Sequence, residues 1–166
     1  NNLEKNDEKV ITTREKDLYY SLDYRSSKAN KENCDYFISL HMNSSTNKSA
    51  KGVEVWVYDE KSKVYNLSKN ICTNLSKDIS TPNRGVKISK NFSVLRKTKM
   101  PSLLIEIDFI SSSTVENYLK NDTYIKSIAN SISNSLLTFV NKPIVDDNFS
   151  YCVCIGKFKD KDTALY

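Results

Sequence analysis

Tyr36-Phe37-Ile38-Ser39-Leu40-His41-Met42-Asn43-Ser44 is an apolar run that ends on the chain's single histidine. Its length and composition suit a buried β-strand, with a reactive side chain near its end. A second run answers it: Leu103-Leu104-Ile105-Glu106-Ile107 carries a carboxylate where a core residue belongs. A buried ionised carboxylate costs several kcal/mol unless it is paired or metal-bound, so Glu106 calls for a reason. Desolvation should raise its pKa toward neutrality, as a general base or acid requires. The plainer alternative is a salt bridge, with Arg84 and Arg96 as candidate partners.

Strands and helices alternate outward from these runs. Lys9-Val10-Ile11-Thr12-Thr13 reads as a short strand, followed by a helix marked by Leu18, Leu22, Arg25 and Ala29, with Asp17 as N-cap. Val53-Glu54-Val55-Trp56-Val57-Tyr58 is rich in β-formers, and Val64, Leu67, Ile71 and Leu75 form the stripe of a second helix. Thr81-Pro82-Asn83-Arg84-Gly85 has turn composition, and short extended pieces are expected at residues 86–88 and 92–95. A short helix is predicted near residues 115–119. The clearest helix carries Ile125, Ile128, Ala129, Ile132, Leu136 and Val140 on one face. The pattern predicts an α/β fold: three layers, αβα, with a mostly parallel twisted sheet flanked by helices. In such sheets ligands gather beyond the carboxyl ends of the strands, so His41 and Glu106 are expected to face one crevice.

The 166 residues suffice for one domain, and a hydrophobic share of 39% suffices for a core. The net charge of +5 is spread over scattered lysines, without the dense basic face interleaved with aromatics that tracks a nucleic acid. No apolar stretch is long enough to span a membrane. Cys34, Cys72, Cys152 and Cys154 contain no Cys-x-x-Cys, and one histidine cannot complete a Cys/His zinc site; buried free thiols are expected. No Gly-rich phosphate loop is present.

The order of these segments resembles the zinc-dependent N-acetylmuramoyl-L-alanine amidases, enzymes that cut peptidoglycan. Val10-Ile11-Thr12-Thr13-Arg14 is similar to the family's strand ending in Thr-Arg, and Arg25-Ser26-Ser27-Lys28-Ala29-Asn30 to its Arg-x-x-x-Ala-Asn helix. Asp35 to Ser44 resembles the strand that supplies a zinc histidine, followed by Gly52-Val53-Glu54-Val55. Asn83-Arg84-Gly85-Val86-Lys87 and Val94-Leu95-Arg96 resemble the next block. Pro101 to Ser111 resembles the block with the catalytic glutamate. Asp108 stands where the family usually has glycine, and Ser112 where asparagine is common.

The resemblance implies Zn²⁺ as cofactor, His41 as a metal ligand, Glu106 as the catalytic base, peptidoglycan as partner, and a secreted or cell-wall location. The family's opening strand with its first zinc histidine, and the following helix with its zinc glutamate, have no match; Glu4, Glu8 and Glu15 lie too close to the Thr-Arg strand or beyond it. An N-terminally incomplete catalytic domain is therefore expected over residues 1–141, with an exposed sheet edge and part of its core open. A linker is expected over 142–148. Residues 149–166, from Phe149-Ser150-Tyr151-Cys152-Val153-Cys154 onward, resemble the opening of a SPOR domain, a small peptidoglycan-binding module. The alternatives are a catalytically inactive wall-binding protein on the same scaffold and another zinc hydrolase of α/β type.

Overall fold

The computed structural model describes residues 3–6, 8–140 and 152–157. Six strands form one sheet in the order β1-β6-β2-β5-β3-β4: β1 is Lys9–Thr12, β2 Tyr36–Asn43, β3 Val53–Val57, β4 Asn83–Ile88, β5 Ser102–Phe109 and β6 Cys152–Lys157. Every ladder is parallel except β3 against β5. The helices are α1 (Leu22–Lys31), α2 (Tyr65–Asp78), α3 (Ser93–Lys97), α4 (Ser113–Tyr118) and α5 (Asp122–Val140). The expected α/β architecture with a mostly parallel, helix-covered sheet is the one observed.

Alternation along the central strands sorts the two faces. Tyr36 and Ile38 of β2, Val53, Val55 and Val57 of β3, and Leu103, Ile105 and Ile107 of β5 join the core beneath α2 and α5. Phe37 and Leu104 point the other way and join Ala29, Cys34, Val94 and Leu95 under α1 and α3. The stripe Val64, Leu67, Ile71 and Leu75 is buried as its spacing demands. On α5, Ile128, Ile132, Leu136 and Val140 are buried, whereas Ile125 and Ala129 remain exposed. These two help line an apolar cavity of about 670 Å³ between α5 and the sheet, with Ile38, Leu40, Met42 and Ile107 on its other wall.

Several boundaries differ from the sequence expectation. α1 begins at Leu22, capped by Ser21, whose hydroxyl accepts from the Tyr24 amide at 3.1 Å; Asp17 lies well before it and Leu18 is exposed. Asn83 to Gly85, turn-like in composition, opens β4 because the β3 ladder recruits it; Gly85 takes a left-handed φ of 79° and donates its amide to Asn83 Oδ1. Ser93–Lys97 is helical rather than extended.

The linker expected over 142–148 lies outside the described residues, as do the flanks of the expected SPOR-like segment. The strand of that segment, Cys152–Lys157, is described, and it pairs in parallel with both β1 and β2 inside the sheet. Cys34 and Cys72 are both buried, and burial lifts the pKa of the Cys72 thiol to about 11.

Candidate active site

β2 and β5 run parallel, and their register sets His41 directly beside Glu106. β3 runs antiparallel on the far side of β5, and there Glu54 is the register partner of the same Glu106. One row across three strands thus reads His41, Glu106, Glu54. All three follow the parity of Phe37 and Leu104, opposite to the α2/α5 core. His41 and Glu106 lie toward the carboxyl ends of their strands. The loops beyond are stitched together: Ile110 donates its amide to the Asn43 carbonyl at 2.8 Å, and the Ser45 amide donates to Ser111 Oγ at 3.0 Å.

All three side chains are buried. Ser39, two residues before His41 and so on the same face, places its hydroxyl 2.8 Å from His41 Nε2. Desolvation, reinforced by the charge of buried Arg25 on α1, lowers the His41 pKa to about 3. The ring is therefore neutral at pH 7, the form in which imidazole binds metals. Glu106 shifts the opposite way. Desolvation, with the neighbouring Glu54 charge, raises its pKa to about 8. Its Oε2 is buried with no hydrogen-bond partner among the described residues.

The salt bridge considered for Glu106 is not formed. Arg84 Nε instead donates to Glu54 Oε1 at 2.6 Å, and Arg96 Nη1 donates to the carbonyls of Lys90 and Asn91. The sequence singled out His41 and Glu106 and passed over Glu54 as a site residue. The signal was there: Val53, Val55 and Val57 fix one face of β3, leaving Glu54 on the face that Glu106 occupies.

Asp108 anchors the surrounding loops. Its carboxylate accepts from the Gly52 amide at 2.8 Å, the Phe109 amide at 2.8 Å and Thr81 Oγ1 at 2.6 Å. Such a fully occupied buried carboxylate fixes the entry to β3 and the chain leading into β4.

The described residues hold no group of three or more His, Cys, Asp or Glu side chains able to bind a metal ion. His41 and Glu106 supply an imidazole and an unsatisfied carboxylate oxygen, which is two donors and no third. A zinc centre is not complete among them. Among the described residues, no helix is long and apolar enough to cross a membrane.

The family profile for N-acetylmuramoyl-L-alanine amidase matches residues 1–138. The sporulation-specific N-acetylmuramoyl-L-alanine amidase of Bacillus subtilis (strain 168) is 33% identical over 156 residues; the match takes in 93% of this chain and 60% of that protein. The chain thus spans little more than half the length of that relative. Among solved structures, the N-acetylmuramoyl-L-alanine amidase AmiC2 of Nostoc punctiforme superposes with a TM-score of 0.77 at 29% identity, covering 84% of this chain and 77% of that one. The CwlD amidase from Clostridioides difficile, solved in complex with the GerS lipoprotein, gives a TM-score of 0.77 at 28% identity, covering 87% and 80%.

Proposed function

Since the chain belongs to the N-acetylmuramoyl-L-alanine amidase family, we propose that its site hydrolyses the amide between N-acetylmuramic acid and L-alanine of the peptidoglycan stem peptide. The observation that carries this is the row His41–Glu106 at the carboxyl ends of β2 and β5, with a buried, unsatisfied Glu106 oxygen.

Glu106 is the general base. A carboxyl with its pKa pushed up to about 8 exchanges protons close to neutrality. It takes a proton from the attacking water and returns it to the leaving amine. The acyl group leaves as a carboxylic acid, and the peptide leaves with a free amino terminus. No cysteine or serine nucleophile is required. His41 is the metal-binding imidazole of this reading, kept neutral by burial and steered by Ser39. Zn²⁺ would need donors beyond the described residues. The polymer partner is peptidoglycan, reached at the cell wall or outside the cell, and the chain's net positive charge favours an anionic wall. Residues 149–166 are read as the beginning of a SPOR-like wall-binding module after a linker, a reading that has to accommodate the pairing of Cys152–Lys157 between β1 and β2.

The zinc-loaded protein that carries this chain should lyse purified peptidoglycan, releasing new L-alanine amino termini. Glu106→Gln should lower that rate by about 10²–10⁴, the usual contribution of a positioned general base. Wild-type rates in the variant would remove Glu106 from the chemistry. His41→Ala should lower bound zinc per protein; unchanged metal content would take His41 out of the site. The second reading is a wall-binding protein without catalysis. Binding to the wall without release of amino termini would establish that reading.

A further inference from the structure

Arg84 is held more firmly than its position on an edge strand requires. Its stem lies across Gly52: a Cβ there would come within 2.7 Å of Arg84 Cδ, 2.8 Å of Cγ and 2.7 Å of the Pro82 carbonyl oxygen. Gly52 also takes a φ of 122°, and its amide is fixed on Asp108. Any other residue at position 52 would be strained and would displace the arginine. Nε is bonded to Glu54 at 2.6 Å, and the guanidinium carbon lies 5.1 Å from the centroid of the Phe109 ring. Three contacts of different kinds thus orient one planar group.

Two nitrogens, carrying four N–H donors, are left over. The Arg84 side chain remains 43% exposed, and neither Nη has a hydrogen-bond partner among the described residues. A guanidinium offers five N–H donors in a rigid fork, and one carboxylate on Nε leaves the outer pair open. Glu54 neighbours Glu106 across the ladder, which puts that outer edge within roughly 10 Å of the Glu106 carboxyl. A peptide residue spans about 3.5 Å, so the edge lies within about three residues of a bond being cut at Glu106.

We propose that Arg84, oriented by Glu54, Gly52 and Phe109, binds a carboxylate on the leaving peptide, within the first residues after the scissile amide. The inference rests on the amidase reading for its substrate and deepens it: the site selects acidic stem peptides over their amidated counterparts. A preorganised fork loses little freedom on binding, which is why such a contact adds to affinity.

The test uses two N-acetylmuramoyl-L-alanyl peptides that differ only in a carboxylate or a carboxamide on the residue after L-alanine. The zinc-loaded protein should prefer the acid by about tenfold or more in kcat/KM, chiefly through KM. In Arg84→Ala that acid-to-amide ratio should fall close to one, whatever the overall rate, and Arg84→Lys should restore part of it. Equal use of both peptides by the wild type, or a preference that survives Arg84→Ala, overturns the inference and leaves the amidase reading standing. Titration with the free acidic peptide, followed by calorimetry, separates the other cases. Neither peptide cleaved, yet the acid bound and that binding lost in Arg84→Ala, defeats the amidase reading and keeps the inference. Neither cleaved nor bound defeats both.

Discussion

The two faces of the sheet obey different rules. Beneath α2 and α5 the strands contribute Val, Ile and Leu, and stability comes from removing apolar area from water. Beneath α1 and α3 the same strands contribute Phe37 and Leu104 at one end, then Ser39, His41, Glu106 and Glu54 at the other. The second face gives up apolar burial where the first keeps it. Two buried glutamates in adjacent register show how unevenly the cost falls: Glu54 is neutralised by Arg84, while Glu106 takes up a proton. Chemistry belongs on the face where a charge has been left without its counter-charge.

The sharpest stability test of this contrast is Leu136→Ala. Its side chain is fully buried between α5 and the sheet, and its loss should cost about 2–5 kcal/mol in urea unfolding. Ile125→Ala, on the open wall of the cavity, should cost less than about 1 kcal/mol. Comparable losses at the two sites would show that the cavity is closed in solution.

Glu106→Gln should act with the opposite sign, and only at higher pH. The folded carboxyl titrates at about 8, against an ordinary value of 4.5. Between these the folded state holds a proton that the unfolded chain has lost, so stability falls as pH rises from about 4.5 to about 8. The glutamine variant escapes that loss. Its stability relative to wild type should grow by about 4 kcal/mol between pH 4.5 and pH 8.5. A pH-independent difference would mean that Glu106 finds a partner in the folded protein. His41 bends the curve the other way, because its folded value of about 3 lies below the ordinary 6.5; stability is gained as pH rises between them.

How much could be read beforehand depends on where the information resides. β2 and β5 were legible as short continuous apolar runs, the mark of strands covered on both faces, and α2 by its stripe at period 3.6. The pairing of His41 with Glu106 was legible only as two odd residues near strand ends; the register that seats them side by side is a property of the sheet. The start of α1 is not fixed by sequence alone, because Asp17 and Ser21 both make acceptable caps and the exposed Leu18 imitates the helical stripe. The turn composition of residues 81–85 lost to the ladder with β3. Arg84 was visible as a charge near Glu106 but not as the partner of Glu54, since that choice depends on Gly52 leaving room for its stem. Asp108, an apparent departure from the family's glycine, holds the loop on which that arginine rests.

The place of β6 has a kinetic consequence. Among the described residues β1 has one ladder partner, and Lys9 of β1 pairs there with Cys152, far along the chain. On the ribosome, residues 9–12 therefore wait until residues 152–157 have been made before they can dock. β2, β5, β3 and β4, with α2 and α5 against them, can assemble first. Closing β6 between β2 and β1 is then a late step of high sequence separation, the kind that sets folding speed.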